Sequence, residues 1–395
     1  MFLTPTIPSI TPSATPSATP APDTNLLDPG CSDPSKLAEL RDWLQLQATL
    51  GLAPELAREC LLRSGNPREA LVLCGRSKAL SRVALDAAVV ALRRHGYRAL
   101  PITARNYPEP LAALRDPAPL LLIAGDPAPL SGTLVAIVGA RAATVYGLEM
   151  ARALGHRLAR AGVTVVSGLA RGIDAAAHRG ALEASGRSVA VQACGPDRVY
   201  PAEHRRLASE IAERGALLTE LPVGTPPRPQ YFPLRNRLIS GLCCGVIVIE
   251  ARERSGSLIT ARHALDQGRE VMALPGPVTS PTSWGPNRLI RDGAIPILEV
   301  DDVFEGLGLP VPAQSAEDPP ADEPDRLGRL GKTILAALAE QAMSRDELGR
   351  RIERDPQQLD LALVDLELRG LVRRDRDGRM VKALVQRPGA RGPVK

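Results

Sequence analysis

The sequence predicts an α/β protein built on a doubly wound, mostly parallel sheet, with a small helical domain before it and a winged-helix domain after it. Three observations carry that reading. Apolar β-type runs at 134–138, 163–166, 188–192, 216–219, 245–249, 271–274 and 295–298 alternate with helical stretches, which implies right-handed βαβ units. The glycine-rich turns lie at the carboxyl ends of these runs, where sheets of this kind take ligands. Residues 326–385 parse as three helices and a short hairpin.

Taken in order, residues 1–34 are mostly Pro, Ser, Thr and Ala, and cannot bury enough apolar surface to offset ordering entropy, so a disordered tail is expected. Residues 35–105 read as a small helical domain, with Leu40, Trp43 and Leu44 in helical register and Gly51, Pro54, Gly65-Asn66-Pro67 and Gly75 as breaks. Its turns fit a SAM-like or helix-hairpin-helix-like element that grips DNA, or a packing and docking module. Residues 106–305 form the sheet core, entered through a proline-rich lead-in with one apolar run, Leu120–Ile123. An acidic, proline-rich linker follows at 306–325, then the winged helix at 326–385, with Ser344 as a helix cap, and a basic tail at 386–395.

The bulk numbers narrow the class. A chain of 395 residues with 44% hydrophobic and 24% charged residues is that of a globular protein of two or three domains. No apolar run reaches the roughly 18 residues of a membrane span. No basic residue precedes Lys36, so neither a signal nor a transit peptide is expected, and a cytoplasmic location follows. The six cysteines (Cys31, Cys60, Cys74, Cys194, Cys243, Cys244) form no C-x-x-C pair and no zinc spacing. They are expected to be reduced, with no metal site. Between Leu134 and Val300 stand 20 arginines, no lysine and 14 carboxylates, a charge of +6, while the remainder sums to −1. The positive charge therefore belongs to the sheet core, and all of it there is arginine, suited to phosphate and to base stacking.

Val135 to Asp174 anchors the functional reading. Two strands end in small-residue turns, Gly139-Ala140-Arg141 and Ser167-Gly168-Leu169-Ala170-Arg171-Gly172, and each turn opens into a helix. Backbone N–H groups and the helix dipole favour an anion at such a place, and Arg141 and Arg171 reinforce it. Ser167 is expected to add a hydroxyl to this nest. The first turn is not G-x-G-x-x-G, and no acidic residue ends the second strand, so a dinucleotide cofactor loses both supports and no cofactor is expected.

Further on, Phe232-Pro233-Leu234-Arg235-Asn236-Arg237 places two arginines around an asparagine. Leu221 to Gly245 contains no carboxylate, so the arginines read as unpaired and, beside Tyr231 and Phe232, fit single-stranded nucleic acid. Ser255-Gly256-Ser257 opens another helix at the same sheet edge, as a cap or as a ligand contact. Catalysis is poorly supported. His178, four residues after Asp174, suggests a local hydrogen bond, and no serine–histidine–acid set emerges. Gly331-Lys332-Thr333 mimics the end of a Walker A motif, but Arg326 stands where its first glycine belongs. The rival reading is a nucleotide or nucleoside-phosphate hydrolase using Glu220 or Glu250. A third makes the winged helix the DNA reader, although its third helix, rich in carboxylates, points to protein contact instead.

VAIVGAR, SGLARGIDAAAHRGAL, FPLRNRLISGL, EARERSGSLITARHAL, ALPGPV and GPNRLIRDGA, in that order, resemble the DNA-processing protein A family (DprA/Smf). The resemblance implies an extended Rossmann-like core that binds single-stranded DNA, a homodimer, and delivery of the RecA recombinase onto incoming DNA in natural transformation, without enzymatic turnover. By motif it implies DNA contacts at Arg141 in the turn after Gly139, at Ser167 and Gly168, and at Arg235, Asn236 and Arg237. Arg171, Phe232, Ser255 and Gly256 join them from the residue pattern. One motif departs: Tyr200-Pro201 is present, but His204 replaces the usual asparagine, which leaves Arg198 as the candidate there.

Overall fold

The computed structural model describes residues 26–50, 53–75, 80–311, 328–341, 343–352, 356–368, 371–374 and 379–382. The tail up to residue 25, the linker from 312, the tip of the wing and the basic tail expected at 386–395 lie outside the described residues. The chain divides into two compact units, Met1–Val311 and Pro312–Lys395.

The first unit opens with four helices, α1 (Pro34–Leu50), α2 (Pro54–Ser64), α3 (Pro67–Leu73) and α4 (Arg82–Arg94). Gly65 adopts φ 77° to end α2, and the Asn66 side chain accepts the Glu69 N–H to start α3. This reversal sets the Cα atoms of Cys60 and Cys74 6.4 Å apart, and their sulfurs are joined in a disulfide. The expectation of six reduced cysteines is corrected for that pair, whereas Cys31, Cys194, Cys243 and Cys244 are free.

Strand β1 (Tyr97–Pro101) corrects the helical reading of residues 35–105. Gly96, at φ 70°, breaks the chain after α4, and β1 pairs antiparallel with β2 (Leu120–Gly125) beyond the short helix α5 (Glu109–Ala112). Leu27 bridges to Ala99 and both Leu26 and Leu27 are buried, which corrects the expectation of disorder for these two residues of the 1–34 segment. Leu40, Trp43 and Leu46 share one apolar core with Leu120, Leu122 and Leu217 of the sheet. The helical segment thus packs on one sheet face.

The remaining elements are β3 (Leu134–Val138), α6 (Val145–Arg160), β4 (Thr164–Ser167), α7 (Ile173–Glu183), β5 (Ser188–Val191), α8 (Arg205–Arg214), β6 (Ala216–Thr219), α9 (Tyr231–Leu242), β7 (Gly245–Val248), α10 (Gly256–Asp266), β8 (Glu270–Ala273), α11 (Trp284–Arg291), β9 (Ile295–Pro296) and α12 (Asp302–Gly306). The strand order is β1-β2-β6-β5-β4-β3-β7-β8-β9, parallel from β6 through β9. The four-residue strands β4 to β7 are buried throughout, as a sheet covered on both faces requires. From β3 the chain winds outward through β4, β5 and β6, then returns to lay β7 on the other side of β3. Strand order reverses between β3 and β7, and a crevice opens there at their carboxyl ends.

The second unit is the winged helix: α13 (Gly328–Glu340), α14 (Arg345–Ile352), α15 (Pro356–Leu368), and the hairpin β10 (Val372–Arg374) with β11 (Met380–Lys382). Ser344 and Glu347 close a reciprocal capping box, Ser344 N–H to Glu347 Oε2 at 2.7 Å and Glu347 N–H to Ser344 Oγ at 3.3 Å. Ile334, Leu348, Leu363 and Leu366 fill its core.

Candidate nucleic-acid interface

A pocket of about 280 Å³ occupies the crevice. Gly139 and Arg141 reach it from the turn after β3, Ala170 from the turn after β4, Asp174 from the first turn of α7, Phe232, Arg235 and Asn236 from α9, and Ser255 and Gly256 from the start of α10. A second cleft, lined by Gly168, Arg171, Tyr200 and Pro201, shares Arg141, Ala170 and Phe232 with the first. The two form one groove.

Backbone geometry fixes its walls. A Cβ on Gly139 would stand 2.6 Å from the Ile173 side chain, so only glycine lets α7 approach. The Glu250 carboxylate accepts the Thr144 N–H at 2.9 Å and the Thr144 hydroxyl at 2.5 Å. Thr144 Oγ1 in turn accepts the Gly147 N–H and caps α6. Asp174 Oδ2 accepts the N–H groups of Gly168 at 3.1 Å and Ala170 at 3.3 Å. Between them Leu169 sits at φ 57°, a left-handed conformation uncommon for a branched side chain. Burial raises the Asp174 carboxyl above its ordinary range.

Two expectations change here. Ser167 is fully buried and its hydroxyl donates to the Ile137 carbonyl at 2.6 Å, inside the sheet rather than into an anion nest. His178 does not bond Asp174: its Nδ1 meets Ser188 Oγ at 2.7 Å, and that hydroxyl donates to the Val165 carbonyl. Burial holds His178 neutral, with its pKa lowered to about 3.

The arginines part ways. Arg141 is exposed, its guanidinium lies 5.0 Å from the Phe232 ring centroid, and it has no carboxylate partner among the described residues. Tyr200 meets the same ring edge-on at 5.6 Å. Arg235 is buried behind Phe232; its Nη1 donates to the Gly168 carbonyl at 2.8 Å and to the Val191 carbonyl, while its Nε has no partner among the described residues. Burial lowers its pKa to about 10. Asn236 donates to the Gly256 carbonyl at 3.1 Å, tying α9 to the start of α10, where Ser255 is the cap. Arg237 is not unpaired, as the sequence suggested. It points away from the pocket into a buried ion pair with Glu220 and a second contact with Asp116.

Of the other candidates, Arg171 pairs with Glu203 and Arg198 with Asp197, both partly exposed. Ser167, Arg198 and Arg237 line neither cleft. Asp174 and Tyr200 are among the lining residues absent from the sequence candidates, although Tyr200 belongs to the Tyr200-Pro201 motif. The carboxylates of the hydrolase reading are both committed, Glu220 to Arg237 and Glu250 to Thr144. Among the described residues no helix is long and apolar enough to cross a membrane.

Residues 98–308 match the family described as DNA recombination-mediator protein A, and residues 311–378 match the DprA winged helix domain. Protein Smf of Escherichia coli is 39% identical over 298 residues, 74% of this chain and 79% of that protein. The DNA processing protein DprA of Bacillus subtilis is 43% identical over 224 residues, 56% of this chain and 75% of that one. The X-ray structure of DNA processing protein A from Streptococcus pneumoniae aligns with TM-score 0.56 at 31% identity, covering 68% of this chain and 96% of that chain. The chain belongs to the DNA recombination-mediator protein A family, the DprA/Smf proteins.

Proposed function

We propose that this protein binds single-stranded DNA in the groove at the β3/β7 crevice and acts, without turnover, as a recombination mediator. In that role it protects incoming DNA and loads RecA on it during natural transformation, as a cytoplasmic homodimer. The observation that carries the reading is Arg141, exposed, unneutralised and stacked on Phe232 at the place where two clefts join. A planar cation on an aromatic face offers one side to a phosphate and leaves the ring edge for an unpaired base. The start of α10 adds backbone N–H groups and a favourable dipole at the pocket floor. Arg235 and Asp174 offset one another behind it, so Arg141 supplies the net charge.

A duplex presents its bases to each other, not to a ring, and gains little from Phe232. Contacts that track the backbone leave bases available for exchange to RecA. The test is fluorescence anisotropy with an oligo-dT strand and a matched duplex across a salt series. Arg141→Ala is expected to weaken single-strand binding about tenfold or more and to reduce the slope of log K against log salt by about 0.7. Unchanged affinity and slope would refute the assignment. Steady release of product from a panel of nucleotides would favour the hydrolase, and RecA filament formation on coated strands tests loading directly.

A further inference from the structure

We propose that His204 is a positioning residue for the groove: its Nδ1–H holds the turn after β4 in the one backbone conformation that lets Gly168 and Ala170 face the strand. The inference rests on the single-strand reading above for its consequence, but not for its geometry. His204 is buried, in the short turn of 3₁₀ helix that leads into α8, and its Nδ1 lies 2.9 Å from the Leu169 carbonyl oxygen. A carbonyl only accepts, so Nδ1 carries the proton.

The bond grips a peptide unit that is held from both sides. The Leu169 carbonyl and the Ala170 N–H belong to the same peptide plane; His204 takes the first and the Asp174 carboxylate takes the second at 3.3 Å. The preceding plane is held in the same manner, its Gly168 carbonyl accepting from Arg235 at 2.8 Å. Leu169 between them is at φ 57° and fully buried. A left-handed leucine is relieved by flipping one of these planes, and each flip carries an N–H or carbonyl away from its partner. Without His204 the Leu169 oxygen is left buried and unpaired, and the flip loses its main opposition. Ala170 lines both clefts and Gly168 lines the second, so the flip re-aims the groove wall itself.

Three substitutions separate this from a mere packing role. His204→Asn places a side-chain N–H where Nδ1 stands; His204→Gln places one where Nε2 stands; His204→Ala offers neither. Amide hydrogen exchange of Gly168 and Ala170, with the urea midpoint as a check on folding, is expected to rise about tenfold in the Ala and Gln variants. It should stay near the parent rate in the Asn variant, and single-strand affinity should follow the same order. A packing role predicts Gln no worse than Asn, and that result overturns the proposal. Should the variants unfold, the nitrogen-15 shifts of His204 in the parent protein decide: Nδ1 protonated is required, and an Nε2–H tautomer overturns it. If the parent protein fails to bind single strands, the functional reading falls, while the exchange and tautomer measurements still judge His204.

Discussion

The sharpest test of the structure is the removal of Arg237, because sequence and structure assign it opposite duties. Arg237 is 3% exposed and Glu220 6%, and they form a two-pronged pair, Nη1 to Oε1 at 2.8 Å and Nη2 to Oε2 at 2.6 Å. Nε adds Asp116 at 2.8 Å. Arg237→Ala strands the Glu220 carboxylate in the interior, which costs about 3–5 kcal/mol. With a urea dependence near 3 kcal/mol per molar for a unit of this size, the unfolding midpoint should fall by about 1–1.7 M. Trp43 and Trp284 both report on this unit, so fluorescence follows it in the full chain. The paired change Arg237→Met with Glu220→Leu should recover most of the loss, since it removes both charges together. Single-strand affinity, measured where the variant is still folded, should stay close to the parent value. An unchanged midpoint with lost binding would refute the structural assignment and return Arg237 to the DNA.

Three further outcomes are expected. His178 is buried neutral with a pKa near 3, so the unfolded chain takes up a proton below about pH 6.5 that the folded chain refuses; stability should fall by about 1.4 kcal/mol per pH unit below that value, and His178→Gln should flatten that arm of a urea-midpoint titration from pH 7 to 4. Gly172→Ala introduces a side chain at φ 75°, ψ −125°, a region kept for glycine, with its Cβ 2.7 Å from the Arg141 carbonyl; a loss of about 2 kcal/mol in urea unfolding is expected, with weaker single-strand binding as Arg141 is displaced. Removing residues 312–395 should leave single-strand affinity within about twofold by anisotropy, because α15 carries no Lys or Arg to offer a backbone.

Strands β3 to β8 were legible because each is a short apolar run followed by a helical stretch, a pattern that needs no tertiary information. Strand β1 was not. Its Tyr97-Arg98-Ala99-Leu100 run suits a helix as well as a strand, and only pairing with Leu121 to Ala124 makes it an edge. The pocket's location was legible for the same reason as the strands, since turns that follow parallel strands converge on one sheet edge. The fates of single side chains were not, because they depend on distant partners. Ser167 is taken by Ile137, 30 residues away, and His204 by Leu169, 35 away. The carboxylate-free window at Leu221 to Gly245 missed Glu220 by one residue and Asp116 by a whole domain's breadth of chain.

One part of the arginine problem was nonetheless soluble from the sequence. Residues two apart on a helix point about 200° from each other, so Arg235 and Arg237 could not both face one pocket once FPLRNRLISGL was read as helical. The pocket face of α9 is Phe232, Arg235, Asn236 and Ile239, spaced i, i+3, i+4 and i+7. The far face carries Arg237, and Gly241 there lets the Leu111 and Leu114 side chains approach to about 3 Å of where a Cβ would stand. Helical periodicity therefore assigns Arg235 to the groove side and Arg237 to the core side before any partner is known. What periodicity does not supply is depth. Arg235 faces the pocket from beneath Phe232 and spends its guanidinium on the Gly168 and Val191 carbonyls, shaping the wall, whereas the charge that meets solvent is that of Arg141, on another turn of the chain. A motif rich in arginine thus marks the groove while its cations act mainly on the protein itself.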